Sequence, residues 1–282
     1  MSIGIASVCD GGKYIAFVTD QMVSAPTTTI DHAVVKADFI GPTCLALWAG
    51  DDITSVPPII RQANGHIPTD AKTYHEMVDV SFVAQALATA YEHERRERAR
   101  ATVLSVYDLD VPRFLAKGKS LFGESDFSLL QQKLEQVQLG VTFLVCGFIQ
   151  SDIALFTVGD GGVLHFNKPG WWAIGSGDHQ AISSIAFRGH NTTKPLAEAL
   201  YTLCEAKFRA EAATGVGRTT SVGVLSRETM GPLLVSNDHV AQVREAWERE
   251  GKPPIPADAL TALREWIALP TRRAASHASE AP

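Results

Sequence analysis

The chain has 282 residues, 45% of them hydrophobic and 20% charged, a balance that buries a sizeable core and excludes disorder for its bulk. That length suits one large domain with insertions as well as it suits two domains. The net charge is −6 and the basic residues gather into no long stripe, which argues against nucleic acid or an anionic membrane surface as the main partner.

Residues 2–9 read as a short apolar strand, Asp10-Gly11-Gly12 as a turn and residues 13–19 as a second strand, together a hairpin. The Thr-rich stretch 24–31 reads as a loop. Strands are expected at 32–40 and 43–48, broken by Gly41-Pro42. Ala49-Gly50-Asp51-Asp52 then makes a turn into a helix behind an acidic cap. Residues 55–64 form a short helix, with Pro57 and Pro58 tolerated in its first turn. The stretch 73–100 carries Met77, Val80, Phe82, Val83, Leu87 and Tyr91 at helical spacing. Its charged end, 92–100, alternates in sign and reads as a solvated helix end laced with ion pairs rather than a docking patch.

Residues 101–138 look like an insertion, Gly-rich around 117–123 and helical over 127–138. Strands return at 141–149, 153–158, 162–167 and 171–174. Helices follow at 178–187 and 194–213, strands at 219–226 and 232–236, and helices at 238–250 and 257–269. This order is not a βαβ alternation. It fits two antiparallel sheets covered by helices, within a single domain over 1–269 and a frayed tail over 270–282.

Cys9, Cys44, Cys146 and Cys204 are widely spaced, with no Cys-x-x-Cys and no matching histidine pair. Neither a zinc site nor a disulfide framework is expected, and a reducing compartment fits. His165 and His179 have no partner at ligand spacing, so no metal or cofactor is expected. The N-terminus lacks a secretory pattern, and no apolar run approaches the ~20 residues of a membrane span. The expectation is a soluble, cytoplasmic protein.

Ser2-Ile3-Gly4-Ile5-Ala6, the hairpin ending Val18-Thr19-Asp20, the strand from Val34 to Ile40 and Trp48-Ala49-Gly50 resemble the front half of proteasome β subunits and of the bacterial proteasome-like peptidases. Asp20, Lys36 and Gly50 stand at the spacing of that family's aspartate, lysine and glycine. Ala173-Ile174-Gly175-Ser176-Gly177 resembles its Gly-Ser-Gly turn before a helix. Glu205 to Glu211 followed by Gly215-Val216-Gly217 is similar to uncharacterised microbial proteins with that fold. The resemblance runs from Ser2 to about Leu225. It implies an α+β fold, a four-layer α-β-β-α sandwich of two antiparallel sheets, and the chemistry of N-terminal nucleophile hydrolases. It departs in two places. The Ser2–Asp20 interval needs extra residues in the Asp10-Gly11-Gly12 turn, without which Gly4 would occupy the nucleophile's position. Thr214 and Gly217 stand where an acid and a hydroxyl are expected.

Residue chemistry gives each position a role. Ser2 is exposed by removal of Met1, and its α-amine, with a pKa of about 7.7–8.0, is a base poised near neutrality for the adjacent hydroxyl. Lys36 keeps that amine neutral by like-charge repulsion, and Asp20 keeps Lys36 charged and aimed. The Gly50 N–H faces the oxyanion, at a turn where a side chain would crowd the substrate. Ser176 carries over as a supporting hydroxyl. The reaction implied is hydrolysis of a peptide or a small amide, in a homo-oligomer that encloses its sites. Any ATPase partner is left open. On residue type alone, Asp20 and Lys36 are more often a structural ion pair. A non-catalytic member of the same fold is therefore the competing reading.

Overall fold

The computed structural model describes residues 2–25, 28–31, 34–51, 53–68, 70, 72–73, 78–150, 152–227 and 232–251. The chain divides into two compact units, Met1–Arg244 and Glu245–Pro282. In the second, only 245–251 are described, and they continue a helix. The helix and tail expected beyond residue 256 lie outside the described residues.

Twelve strands occur among the described residues, and every pairing is antiparallel. One sheet has the order β10-β1-β2-β11-β12, built from β1 (Ile3–Cys9), β2 (Tyr14–Asp20), β10 (Trp171–Gly175), β11 (Thr220–Ser226) and β12 (Leu233–Leu234). The other runs β5-β6-β7-β8-β9, from β5 (Ala37–Ile40), β6 (Cys44–Gly50), β7 (Val141–Ile149), β8 (Asp152–Gly159) and β9 (Gly162–His165).

Alternation within the strands shows where each face goes. Ala6, Val8, Ile15 and Phe17 of the first sheet pack in one cluster with Leu45, Leu47, Leu144, Cys146 and Leu155 of the second. The opposite face of the second sheet, including Ala46, Trp48, Phe143, Val145 and Phe156, packs on helix α1 (Val56–His66) and helix α2 (Val80–Ala99). The first sheet is covered by α4 (Asp178–Phe187) and α5 (Leu196–Ala210), which lie against β10, β1 and β2. With both faces buried, β1, β6 and β7 read as near-continuous apolar runs.

Three expectations change. The stretch read as a loop at 24–31 holds a small hairpin, β3 (Val23–Ala25) with β4 (Thr28–Ile30), because β-branched Thr and Ile suit paired strands. Of the strand expected over 32–40, residues 34–36 are irregular and Ala37–Ile40 form the strand. Within 101–138, helix α3 (Val111–Glu135) begins well before residue 127, at an Asp110 cap that accepts from the Arg113 N–H at 2.7 Å, with Pro112 in the first turn. Gly123, at φ 80°, breaks it, and Phe127 folds back to stack on Phe114 with ring centroids 4.9 Å apart. The last helix among the described residues is α6 (Asn237–Glu250). No described helix is long and apolar enough to cross a membrane.

All four cysteines are free and buried. Burial pushes Cys9 up to about 11, Cys44 and Cys204 up to about 12, and Cys146 higher still. Unfolded thiols ionise near about 8.5. Above that pH the unfolded chain sheds protons that the folded chain keeps, so the thiols' contribution to stability is lost as pH rises. The buried lysines Lys36 and Lys207, with lowered pKa, act in the opposite sense, two groups against four. The expected result is no thiol reactive to Ellman's reagent in the native protein at about pH 8 and four in guanidinium. Urea unfolding should show stability falling between about pH 8.5 and 11, with a shallower slope in Cys44→Ala and Cys146→Ala variants.

Candidate active site

The β1–β2 hairpin places Ser2 beside Asp20. Its strands pair one to one from Gly4↔Thr19 to Cys9↔Tyr14, with no bulge. The strands are joined by the 3-10 turn Asp10–Gly12, where Asp10, Gly11 and Gly12 all have positive φ. Gly4 lies inside the strand, where a Cβ would meet Leu47 and Ile174 at 3.3 Å. Ser2 stands at the strand's entrance, and its Oγ accepts from the Gly50 N–H at 3.4 Å.

Asp20 ends β2 and is fully buried. Its Oδ1 accepts from Lys36 Nζ at 2.8 Å and from the Ile3 N–H at 3.0 Å, and its Oδ2 from the Gly217 N–H at 3.1 Å and the Met22 N–H at 3.2 Å. Four donors satisfy a carboxylate that meets no solvent. Lys36 is 1% exposed. Burial lowers its pKa, and the adjacent Asp20 carboxylate opposes that fall. This is a desolvated ion pair, a case that surface ion-pair energetics do not describe.

Gly50 and Gly175 are glycines for reasons of packing. A Cβ on Gly50 would collide with the Gly140 carbonyl and the Val141 backbone, so the neighbouring strand demands the glycine whatever substrate does. A Cβ on Gly175, whose φ is 103°, would collide with the Ser2 carbonyl. Next to it, exposed Ser176 donates from Oγ to the Thr214 carbonyl at 3.1 Å, with the Ser2 carbonyl at 3.5 Å. All five residues singled out from sequence, Ser2, Asp20, Lys36, Gly50 and Ser176, thus converge on the N-terminal end of β1.

Other participants escape sequence reasoning. The Gly217 amide bonds Asp20 from a loop where an acid or hydroxyl was sought. Asp31, following β4, accepts from the Arg218 N–H at 2.8 Å and the Thr219 N–H at 3.1 Å, and its charge also acts on Lys36. Lys207 of α5 is fully buried and donates to the Gly217 and Arg218 carbonyls at 2.7 and 2.8 Å. The one signal for it is Lys207…Glu211, opposite charges one helical turn apart. His165 and His179 are exposed, and no group of His, Cys, Asp and Glu that could hold a metal occurs among the described residues. Ser7 Oγ and His190 Nε2 lie 2.6 Å apart elsewhere, both buried, and Ser7 Oγ also donates to the Val8 carbonyl at 3.1 Å.

No protein-family model matches the chain, and no curated protein matches it. Among solved structures, the chain is similar to a mutant of Anbu from Hyphomicrobium sp. strain MC1, with a TM-score of 0.58 at 15% identity. The match covers 95% of this chain and 97% of that one. A likeness at that identity shows the fold alone. The chain has a proteasome-like α+β fold, with two antiparallel sheets and packed helices.

Removing one member of the Asp20–Lys36 pair leaves a buried charge without its partner, at a cost of about 3–5 kcal/mol. Lys36→Met should lose that much, tempered by the three amides that still bond Asp20. Asp20→Asn/Lys36→Met should recover part of the loss, a sign of coupling that urea denaturation of the four-protein cycle reads directly.

Proposed function

We propose that the chain is an N-terminal nucleophile amidohydrolase, a peptidase-like enzyme with a helix–sheet–sheet–helix sandwich and Ser2 as nucleophile once Met1 is removed. The observation that carries the reading is the fully buried Asp20–Lys36 pair at the entrance of β1, beside a serine hydroxyl that meets a backbone N–H. Sealing two charges beneath a strand end is costly for a scaffold and useful for tuning an α-amine.

In this mechanism the Ser2 α-amine accepts the hydroxyl proton as Oγ attacks the substrate carbonyl carbon. The Lys36 ammonium favours the neutral amine, and Asp20 fixes the ammonium. Oxyanion charge develops toward the Gly50 N–H. The amine's proton passes to the leaving nitrogen as the C–N bond breaks, and water then hydrolyses the Ser2 ester by the reverse sequence of proton transfers. Ser176 holds the turn that meets the Ser2 carbonyl. The substrate class is a peptide or a small amide. A cytoplasmic homo-oligomer that encloses its sites follows from the hazard of an open peptidase.

One observation favours a second reading, a non-catalytic protein with an assembly or binding role: Ser2 is 1% exposed. Two measurements separate the readings. Intact mass should show a chain beginning at Ser2 with a free amine; retained Met1 or an acetylated Ser2 removes the base. A peptide vinyl sulfone or epoxyketone should label the wild type and leave Ser2→Ala unlabelled, while Ser2→Ala keeps the wild-type fold and light-scattering mass. A monomer across micromolar concentrations would count against enclosure and toward the small-amide substrate.

A further inference from the structure

The loop between α5 and β11 carries the Gly217 N–H that bonds Asp20, and it is held from two sides. From below, fully buried Lys207 donates to the Gly217 and Arg218 carbonyls. Its third partner is Glu211 Oε1 at 2.6 Å, a carboxylate shared with Arg244, which itself donates to the Arg218 carbonyl at 2.9 Å and lies over the Phe208 ring. From the other side, Asp31 collects the Arg218 and Thr219 amides. Gly217 is wedged between them, since a Cβ there would lie 2.5 Å from Met22 Cβ and 2.7 Å from Asp31 Oδ1. Helical or strand pairing places none of these groups, so the loop's shape rests on charged side chains, with Lys207 and Asp31 each making two of the bonds beside those of Asp20 and Arg244.

We infer that Lys207 and Asp31 are positioning residues for Asp20, acting through the loop at 215–219 and the Gly217 N–H. The inference rests on the proposed function for its effect on rate, but its structural link is separately measurable. An ammonium suits the Lys207 position because it donates three bonds and accepts none, matching two carbonyls and a carboxylate. Burial lowers the Lys207 pKa to about 8, and the Glu211 carboxylate opposes that fall. Asp31 supplies, from the β3–β4 side, an acid near the loop where Thr214 offers none.

Loss of either side chain should let the Gly217 amide turn from Asp20. Asp20 then becomes a stronger acceptor toward Lys36, and the positive field that keeps the Ser2 amine neutral weakens. Displacements of this kind cost about 10- to 100-fold in rate. The test compares Lys207→Met, Asp31→Ala and Asp31→Asn with wild type, all confirmed folded by circular dichroism. The rate of Ser2 labelling by a peptide vinyl sulfone is followed against pH, and hydrogen exchange is followed at the Gly217 amide.

Lys207→Met and Asp31→Ala should label about 10- to 100-fold more slowly, with the acidic limb moved to higher pH and faster exchange at Gly217. Asp31→Asn keeps an oxygen acceptor for both amides and should restore most of the rate. Labelling at wild-type rate with an unmoved pH limb would overturn the inference, as would Asp31→Asn behaving like Asp31→Ala. Should wild type itself never label, the proposed function falls, and exchange decides the structural link: acceleration in Lys207→Met and Asp31→Ala upholds it, and unchanged exchange overturns it.

Discussion

Two opposite charges removed from water set the terms for the front of this molecule. Each ion of the Asp20–Lys36 pair gives up hydration worth several kcal/mol, and their mutual attraction offsets that only when the remaining lone pairs are also met. Asp20 is the last residue of β2, paired with Thr220 of β11. Its donors come from four places: the start of β1, the turn after β2, the loop after α5, and Lys36 before β5. Segments far apart in the chain are drawn together by the valence of one carboxylate. Lys36 is tied in by its backbone too, since its carbonyl accepts from the Trp48 N–H at 3.2 Å. The pair is therefore held by both sheets.

That convergence explains the glycines around it better than flexibility does. Gly50 yields to β7, Gly175 to the Ser2 carbonyl and Gly217 to Met22 and Asp31. At Gly50 and Gly175 a Cβ would push apart two backbones, and at Gly217 it would displace the side chains of Met22 and Asp31. Only Gly175 among the three also needs a left-handed conformation. A glycine read from sequence as room for substrate can equally be room for the next strand, and at Gly50 the second reason suffices.

Much of the frame was legible from period and punctuation. The first hairpin, the apolar runs of β6 and β7, the Gly175-Ser176-Gly177 turn and the α4–α5 pair all follow from local pattern, because strands buried on both faces and amphipathic helices leave strong signatures. Asp20, Lys36 and Gly50 stood out through spacing, whereas Ser2 came forward only with extra residues placed in the Asp10-Gly11-Gly12 turn. The β3–β4 hairpin was not, since three-residue strands in a Thr-rich segment resemble any polar loop. The early start of α3 carried a signal, Asp110 followed by Pro112, that the Gly-rich stretch after it obscured. Asp31 was illegible for a different reason, and Lys207 showed no more than its helical-turn pairing with Glu211. Their function lies in bonds to backbone atoms of residues 187 and 10 positions away, and no property of an aspartate or a lysine announces which amide or carbonyl it will meet.

The loop at 217–219 shows why charged side chains belong there. An irregular segment has no ladder to satisfy its peptide groups, and each one buried without a partner costs about 1–3 kcal/mol. Here the donors of Gly217, Arg218 and Thr219 go to carboxylates, and the acceptors of Gly217 and Arg218 go to cations. Donors face Asp20 and Asp31, while acceptors face Lys207 and Arg244. The sorting fixes the direction of each peptide plane, because reversing one plane would set a carbonyl against a carboxylate and an N–H against an ammonium. A neutral network would tolerate such a flip more easily. By separating the two signs across one loop, the sequence gives a single orientation to the amide that meets Asp20.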